Sequence, residues 1–130
     1  MHTLEDFRAE TRTWLEQNCP DGAKGPGQTP LGSKSIELEP DVRTWLDRMS
    51  RKGWTVPTWP VEYGGAALNN DEYKILIEEL KRVGARTPLT GRGVNYIGPT
   101  ILEFGTDEQK ARWLPICARG DGAWAMGYSE

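Results

Sequence analysis

Glycine and proline punctuate this chain, and their positions set the length of every helix it can form. There are 15 glycines and 9 prolines among 130 residues. Proline cannot donate the backbone hydrogen bond a helix interior requires, and glycine favours the left-handed turn that closes one. The stretches between them carry apolar residues at steps of three and four, the signature of helices with one buried face. The expected fold class is therefore all-α, a helical bundle of about five helices.

The first helix is expected from about Leu4 to Asn18, with Thr3 as its N-cap and Glu5 and Asp6 in the first turn. Leu4, Phe7, Thr11, Trp14 and Leu15 form its stripe, and Pro20 stops it. Residues 21–37 are broken by Gly22, Gly25, Pro26, Gly27, Pro30 and Gly32. So long a connection reads as disorder or as a partner-binding arm. A second helix starts at Pro40, buries Val42, Trp45, Leu46 and Met49, and closes at Gly53. Residues 53–65 match neither helical nor strand periodicity and read as an ordered loop pinned to a core by aromatic rings.

The third helix is expected to be capped by Asn70, with Asp71 and Glu72 in its first turn. Its buried face is Tyr73, Leu76, Ile77, Leu80 and Val83; Glu78, Glu79, Lys81 and Arg82 lie outside, and Gly84 ends it. A fourth helix is expected over 88–104, with Val94, Ile97, Ile101 and Phe104 as its apolar set. Its content of Gly91, Gly93, Gly98 and Pro99 suits a helix that another backbone or a ligand approaches closely. Thr106 and Gln109 form a capping box that opens a short fifth helix, which Pro115 ends or bends. Residues 122–130 read as the opening of a β-strand with no partner in the chain, which suggests a missing continuation.

Composition narrows the chemistry. The net charge is −3, and the cations are interspersed with acids, so nothing marks a nucleic-acid surface. No stretch has the length of a membrane span, and the N-terminus lacks the apolar region of a signal peptide. Cys19 and Cys117 read as reduced thiols of a cytoplasmic protein. His2 is the only histidine, which excludes an internal imidazole base, a Ser-His or Cys-His pair and a His-rich metal site. Of the six tryptophans, Trp14, Trp45 and Trp113 stand at helical positions and read as core; Trp54 and Trp59 crowd the 53–65 loop.

Three segments carry a specific resemblance. The first is Gly53-Trp54, then Pro57, then Trp59-Pro60-Val61-Glu62-Tyr63-Gly64-Gly65. The second runs from Gly98-Pro99-Thr100 through Glu103-Phe104-Gly105-Thr106-Asp107-Glu108-Gln109-Lys110 to Trp113-Leu114-Pro115. The third is Gly127-Tyr128-Ser129-Glu130. In order and spacing they resemble the acyl-CoA dehydrogenase family over nearly the whole chain.

The resemblance implies an N-terminal helical domain at 1–121, with 122–130 as the first strand of a middle β-domain that is missing. Family members are flavoenzymes that oxidise acyl-CoA thioesters between the α and β carbons. They take FAD as cofactor, pass electrons to electron-transfer flavoprotein, and form homo-oligomers. The usual base is a glutamate of a C-terminal domain, so no residue here is assigned a catalytic role; Glu62, Glu103 and Glu130 do not substitute for it. Met126, Gly127, Tyr128 and Ser129 match the flavin-facing strand, where the Ser129 hydroxyl would sit near flavin N5. Arg92 and Tyr96 fall near the acyl-pocket wall, and a charged Arg92 would suit a polar or bulky acyl group. The alternative is a non-catalytic helical module, or a partner subunit supplying one wall of a shared flavin site.

Overall fold

A computed structural model describes residues 3–30, 37–90 and 93–121. Five α-helices make the fold, and no sheet forms among the described residues. They are α1 (Leu4–Asn18), α2 (Pro40–Lys52), α3 (Asn70–Val83), α4 (Gly98–Phe104) and α5 (Asp107–Arg119). No described helix is long and apolar enough to cross a membrane.

Local chemistry places most helix ends. Thr3 and Asp6 cap α1 reciprocally, at 3.1 and 2.9 Å. Thr106 and Gln109 do the same for α5, at 3.1 and 2.9 Å. Pro40 stands in the first turn of α2, and Gly53 closes that helix at φ 80°. The cap of α3 is Asn69, not Asn70: only from Asn69 does Glu72 stand three residues on, where its carboxylate accepts a hydrogen bond from the cap amide at 3.0 Å.

The buried face of α3 differs from its apolar stripe. Ile75, Leu76 and Glu79 are buried, whereas Tyr73 and Ile77 are exposed. Charge turns the helix. Arg8 and Arg12 of α1 and Arg82 of α3 all donate to the Glu79 carboxylate at 2.8–3.0 Å. Arg8 also reaches Glu78, and Arg82 reaches Glu16. Because Arg8 pairs with Glu78 and Arg82 with Glu16, α1 and α3 run parallel.

Two clusters make up the core. Leu15, Cys19, Trp45, Met49, Trp54 and Leu76 form the first, with Trp14 meeting Trp54 edge-on at 5.1 Å. Val56, Trp59, Leu114, Cys117 and Ala118 form the second, where the 53–65 loop meets α5. The loop is ordered, as its rings require. The Thr55 hydroxyl donates to the Ala118 carbonyl at 2.6 Å, and Val61–Tyr63 makes one 3₁₀ turn. Trp45 is fully buried and Trp14 half-buried; half-buried Trp113 carries the Arg112 guanidinium over its ring at 4.7 Å.

Three further expectations need correction. Residues 21–30 are fixed in place. The Gly25 amide donates to Gly84 and the Arg86 amide to Ala23, while the Arg86 guanidinium donates to the carbonyls of Lys24, Gly25, Pro26 and Gln28. The helix expected over 88–104 is α4 preceded by one π turn, Gly93–Ile97. Pro99 has no N–H to offer the carbonyl of Asn95, and the helix widens there. Pro88 and Leu89 are buried but not helical. Of the two outcomes expected at Pro115, an end or a bend, the end does not occur: α5 continues to Arg119 and closes at Gly120, φ 71°.

Candidate functional site

Along the outer side of α3, the 54–59 loop and the segment leading into the π turn enclose a groove of about 450 Å³. Trp54, Val56, Pro57 and Trp59 line it from the loop, and Tyr73, Leu76, Ile77 and Leu80 from α3. Ala85, Pro88, Leu89, Thr90, Val94 and Asn95 complete it. The lining is mixed: Thr55, Thr58 and Thr87 also contribute, so hydroxyl and amide groups alternate with apolar side chains. Among the described residues that line it, Lys81 is the single charged side chain and no carboxylate contributes. Such a surface can hold an elongated apolar group with one polar end, but it offers no proton acceptor of its own.

The walls are fixed by contacts that only glycine permits. The Trp59 amide donates to Val56, and its carbonyl accepts from Ala67. A Cβ at Gly65 would lie 2.7 Å from the Trp59 Cβ. The far edge of the indole rests on Gly98, where a Cβ would stand 2.5 Å from Cζ2 and closer still to Cη2. Gly64 lies equally tight on α5, with a Cβ there 2.7 Å from that of Ala118. Two of the three segments that carried the family resemblance therefore meet in space: the tryptophan of one is seated on the glycine of the other. The Asn95 amide donates to the Thr90 hydroxyl at 3.1 Å across the base of the π turn.

Among the residues expected to form a site, only Tyr96 falls within the described residues. Its side chain is exposed on the outer face of the π turn, away from the groove lining, and its carbonyl accepts from the Thr100 hydroxyl at 2.7 Å. Arg92, Met126, Gly127, Tyr128 and Ser129 lie outside the described residues. Of the expected site, the described geometry therefore bears on Tyr96 alone. Sequence reasoning did not find the groove. Its one signal was the pairing of a buried-type tryptophan with a glycine-rich helix start. Among the described residues no group of His, Cys, Asp and Glu could hold a metal ion. Both cysteines are free and buried.

Comparison with known proteins gives a consistent answer. Residues 2–121 match the family described as acyl-CoA dehydrogenase, N-terminal domain. Acyl-CoA dehydrogenase IpdE1 of Mycolicibacterium smegmatis is 34% identical over the whole chain, which covers 33% of that protein. The mitochondrial short-chain specific acyl-CoA dehydrogenase of Bos taurus is 32% identical over 93% of this chain and 29% of its own length. Among solved structures, the ChsE4-ChsE5 complex from Mycobacterium tuberculosis aligns over 98% of this chain and 30% of the matched one, with TM-score 0.64 and 31% identity. The Tcur3481-Tcur3483 steroid ACAD aligns over 98% and 31%, with TM-score 0.61 and 30% identity. The chain spans about a third of the length of the curated relatives it matches. This protein belongs to the acyl-CoA dehydrogenase family and corresponds to its N-terminal helical domain.

Proposed function

We propose that this chain acts as the helical domain of a flavin-dependent dehydrogenase that desaturates an acyl-CoA thioester between its α and β carbons. Its own contribution is to hold and enclose the acyl group. The observation that carries this reading is the groove beside the π turn, walled by Trp54, Trp59 and the apolar residues of α3 with no carboxylate among its described residues, and built where two family segments interlock. Arg92, just before the π turn in sequence, and Tyr96, exposed within it outside the groove, are proposed to meet the acyl group only in the assembled enzyme. Met126, Gly127, Tyr128 and Ser129 are proposed to form the strand that faces the cofactor. FAD, when bound, would supply the hydride acceptor. The base that takes the α-proton belongs to a part of the enzyme beyond these residues, since the groove offers none.

A bulky, ring-bearing acyl group is the favoured substrate class. An arginine near the pocket suits a large or polar acyl group, and one of the matched structures is that of a steroid ACAD. A second reading, that the chain serves as one subunit of a two-component enzyme, draws support from the paired names ChsE4-ChsE5 and Tcur3481-Tcur3483. Self-association, electron delivery to electron-transfer flavoprotein and a cytoplasmic setting complete the proposal.

The test is anaerobic mixing of the flavoprotein that contains this chain with straight, branched and ring-bearing acyl-CoA thioesters. Flavin bleaching is expected with at least one class, while residues 1–130 alone reduce no acceptor. A flavoprotein that no acyl-CoA bleaches would overturn the proposal.

A further inference from the structure

Trp59 stands where the groove and the π turn meet, and it has almost no freedom. Its backbone is hydrogen-bonded on both sides, its Cβ is backed by Gly65, and its ring edge is stopped by Gly98. It is buried, yet it lines the groove, as Val94 does. The core cluster to which it belongs also packs against the half-buried Val94 and Ile101. A close-packed wall of this kind does not yield gradually: a change of volume on one side must appear as displacement on the other.

We infer that Trp59 determines the size of acyl group the groove accepts, with the Trp59–Gly98 contact fixing how far the ring and the π turn stand apart. The inference rests on the acyl-binding reading above. A shorter ring at position 59 no longer reaches Gly98 and opens space beneath the turn. A methyl group at position 98 does the reverse. It overlaps a ring that cannot retreat, because Gly65 blocks its other end, so either the turn moves or the ring swings into the groove.

The two changes therefore have opposite signs, and together they cancel. The measurement is kcat/KM in the flavoprotein containing this chain, taken as the ratio of a ring-bearing to a straight-chain acyl-CoA. Trp59→Phe is expected to raise that ratio by about 10-fold, on the scale of one methylene's worth of pocket discrimination. Gly98→Ala is expected to lower it by a similar factor, and the double variant to return it toward the starting value. Should Gly98→Ala not fold, Val94→Ala removes volume from the same groove while the Trp59–Gly98 contact stays in place, and is expected to act like Trp59→Phe. An active enzyme whose ratio is unmoved by Trp59→Phe and Val94→Ala would overturn the inference and leave the acyl reading intact. An enzyme inactive toward every acyl-CoA overturns that reading, and the inference with it.

Discussion

Arg12 of α1 clasps the buried carboxylate of Glu79 in α3 with two hydrogen bonds, at 2.8 and 3.0 Å, across 67 residues of sequence. Arg8 and Arg82 complete a ring of donors around the same carboxylate. Truncation to Glu79→Ala would leave three guanidinium groups facing one another around a void. Removing one partner of a buried ion pair costs about 3–5 kcal/mol. The arginines here reach solvent and recover part of their hydration, so we expect the lower end, about 3 kcal/mol. Urea unfolding of the variant against wild type measures it.

Acid should loosen the same joint. Hydrogen bonds from Arg12, reinforced by Arg8 and Arg82, hold the Glu79 carboxyl at about 2, against its ordinary 4.5, although burial acts in the opposite direction. A lowered carboxyl pKa stabilises the fold fully above the unfolded value, and that stability is lost as pH falls toward the folded one. Thermal midpoints are expected to hold above pH 4.5 and to drop between 4.5 and about 2. Glu79→Gln should remove most of that slope, and an identical acid profile in the variant would place the titrating group elsewhere.

The thiols should be silent in the folded state. Burial pushes Cys117 up to about 11 and also raises Cys19. Thiolate is the reactive form, so neither should be modified at pH 8 until the chain opens. A disulfide-exchange dye is expected to react with both cysteines in denaturant and with neither in buffer over the same minutes.

Arg86→Met should release the 24–28 loop without disturbing the helices. The guanidinium donates to four carbonyls of that loop, and the fold offers them no replacement. Limited trypsin digestion reads this directly. Cleavage after Lys24 is expected to be slow in wild type and at least about 10-fold faster in the variant, because local opening controls access to the protease.

The helices were legible wherever a cap or a closing glycine stood beside an amphipathic stripe. Thr3, Pro40, Gly53, Gly84 and Thr106 all serve as the residue chemistry suggested. Expectations failed where a distant partner decided the outcome. Nothing near Glu79 in sequence shows that two arginines from α1 will bury it. Nothing near Gly25 shows that Arg86 will gather the carbonyls around it. Asn69 and Asn70 are chemically identical candidates, and only the reach of Glu72 separates them. Proline was only half legible: a π turn precedes the helix that holds Pro99, and Pro115, expected to end or bend α5, lies inside it, where Leu114, Cys117 and Ala118 pack into the second core cluster. The groove was hidden for a related reason, since its walls come from segments some forty residues apart.

The parallel pairing of α1 with α3 also sets an order of events. A lone helix of 15 residues is marginal in water, and the charges that dock α1 arrive only with α3. A ribosome adding roughly 5–20 residues per second needs several seconds to travel from Arg12 to Glu79. Through that interval α1 can meet only α2 and the tryptophan loop, by way of Trp45, Met49 and Trp54, while its charged face waits for α3. Of the helices described, α1 leaves the ribosome before the others and yet is among the last to settle.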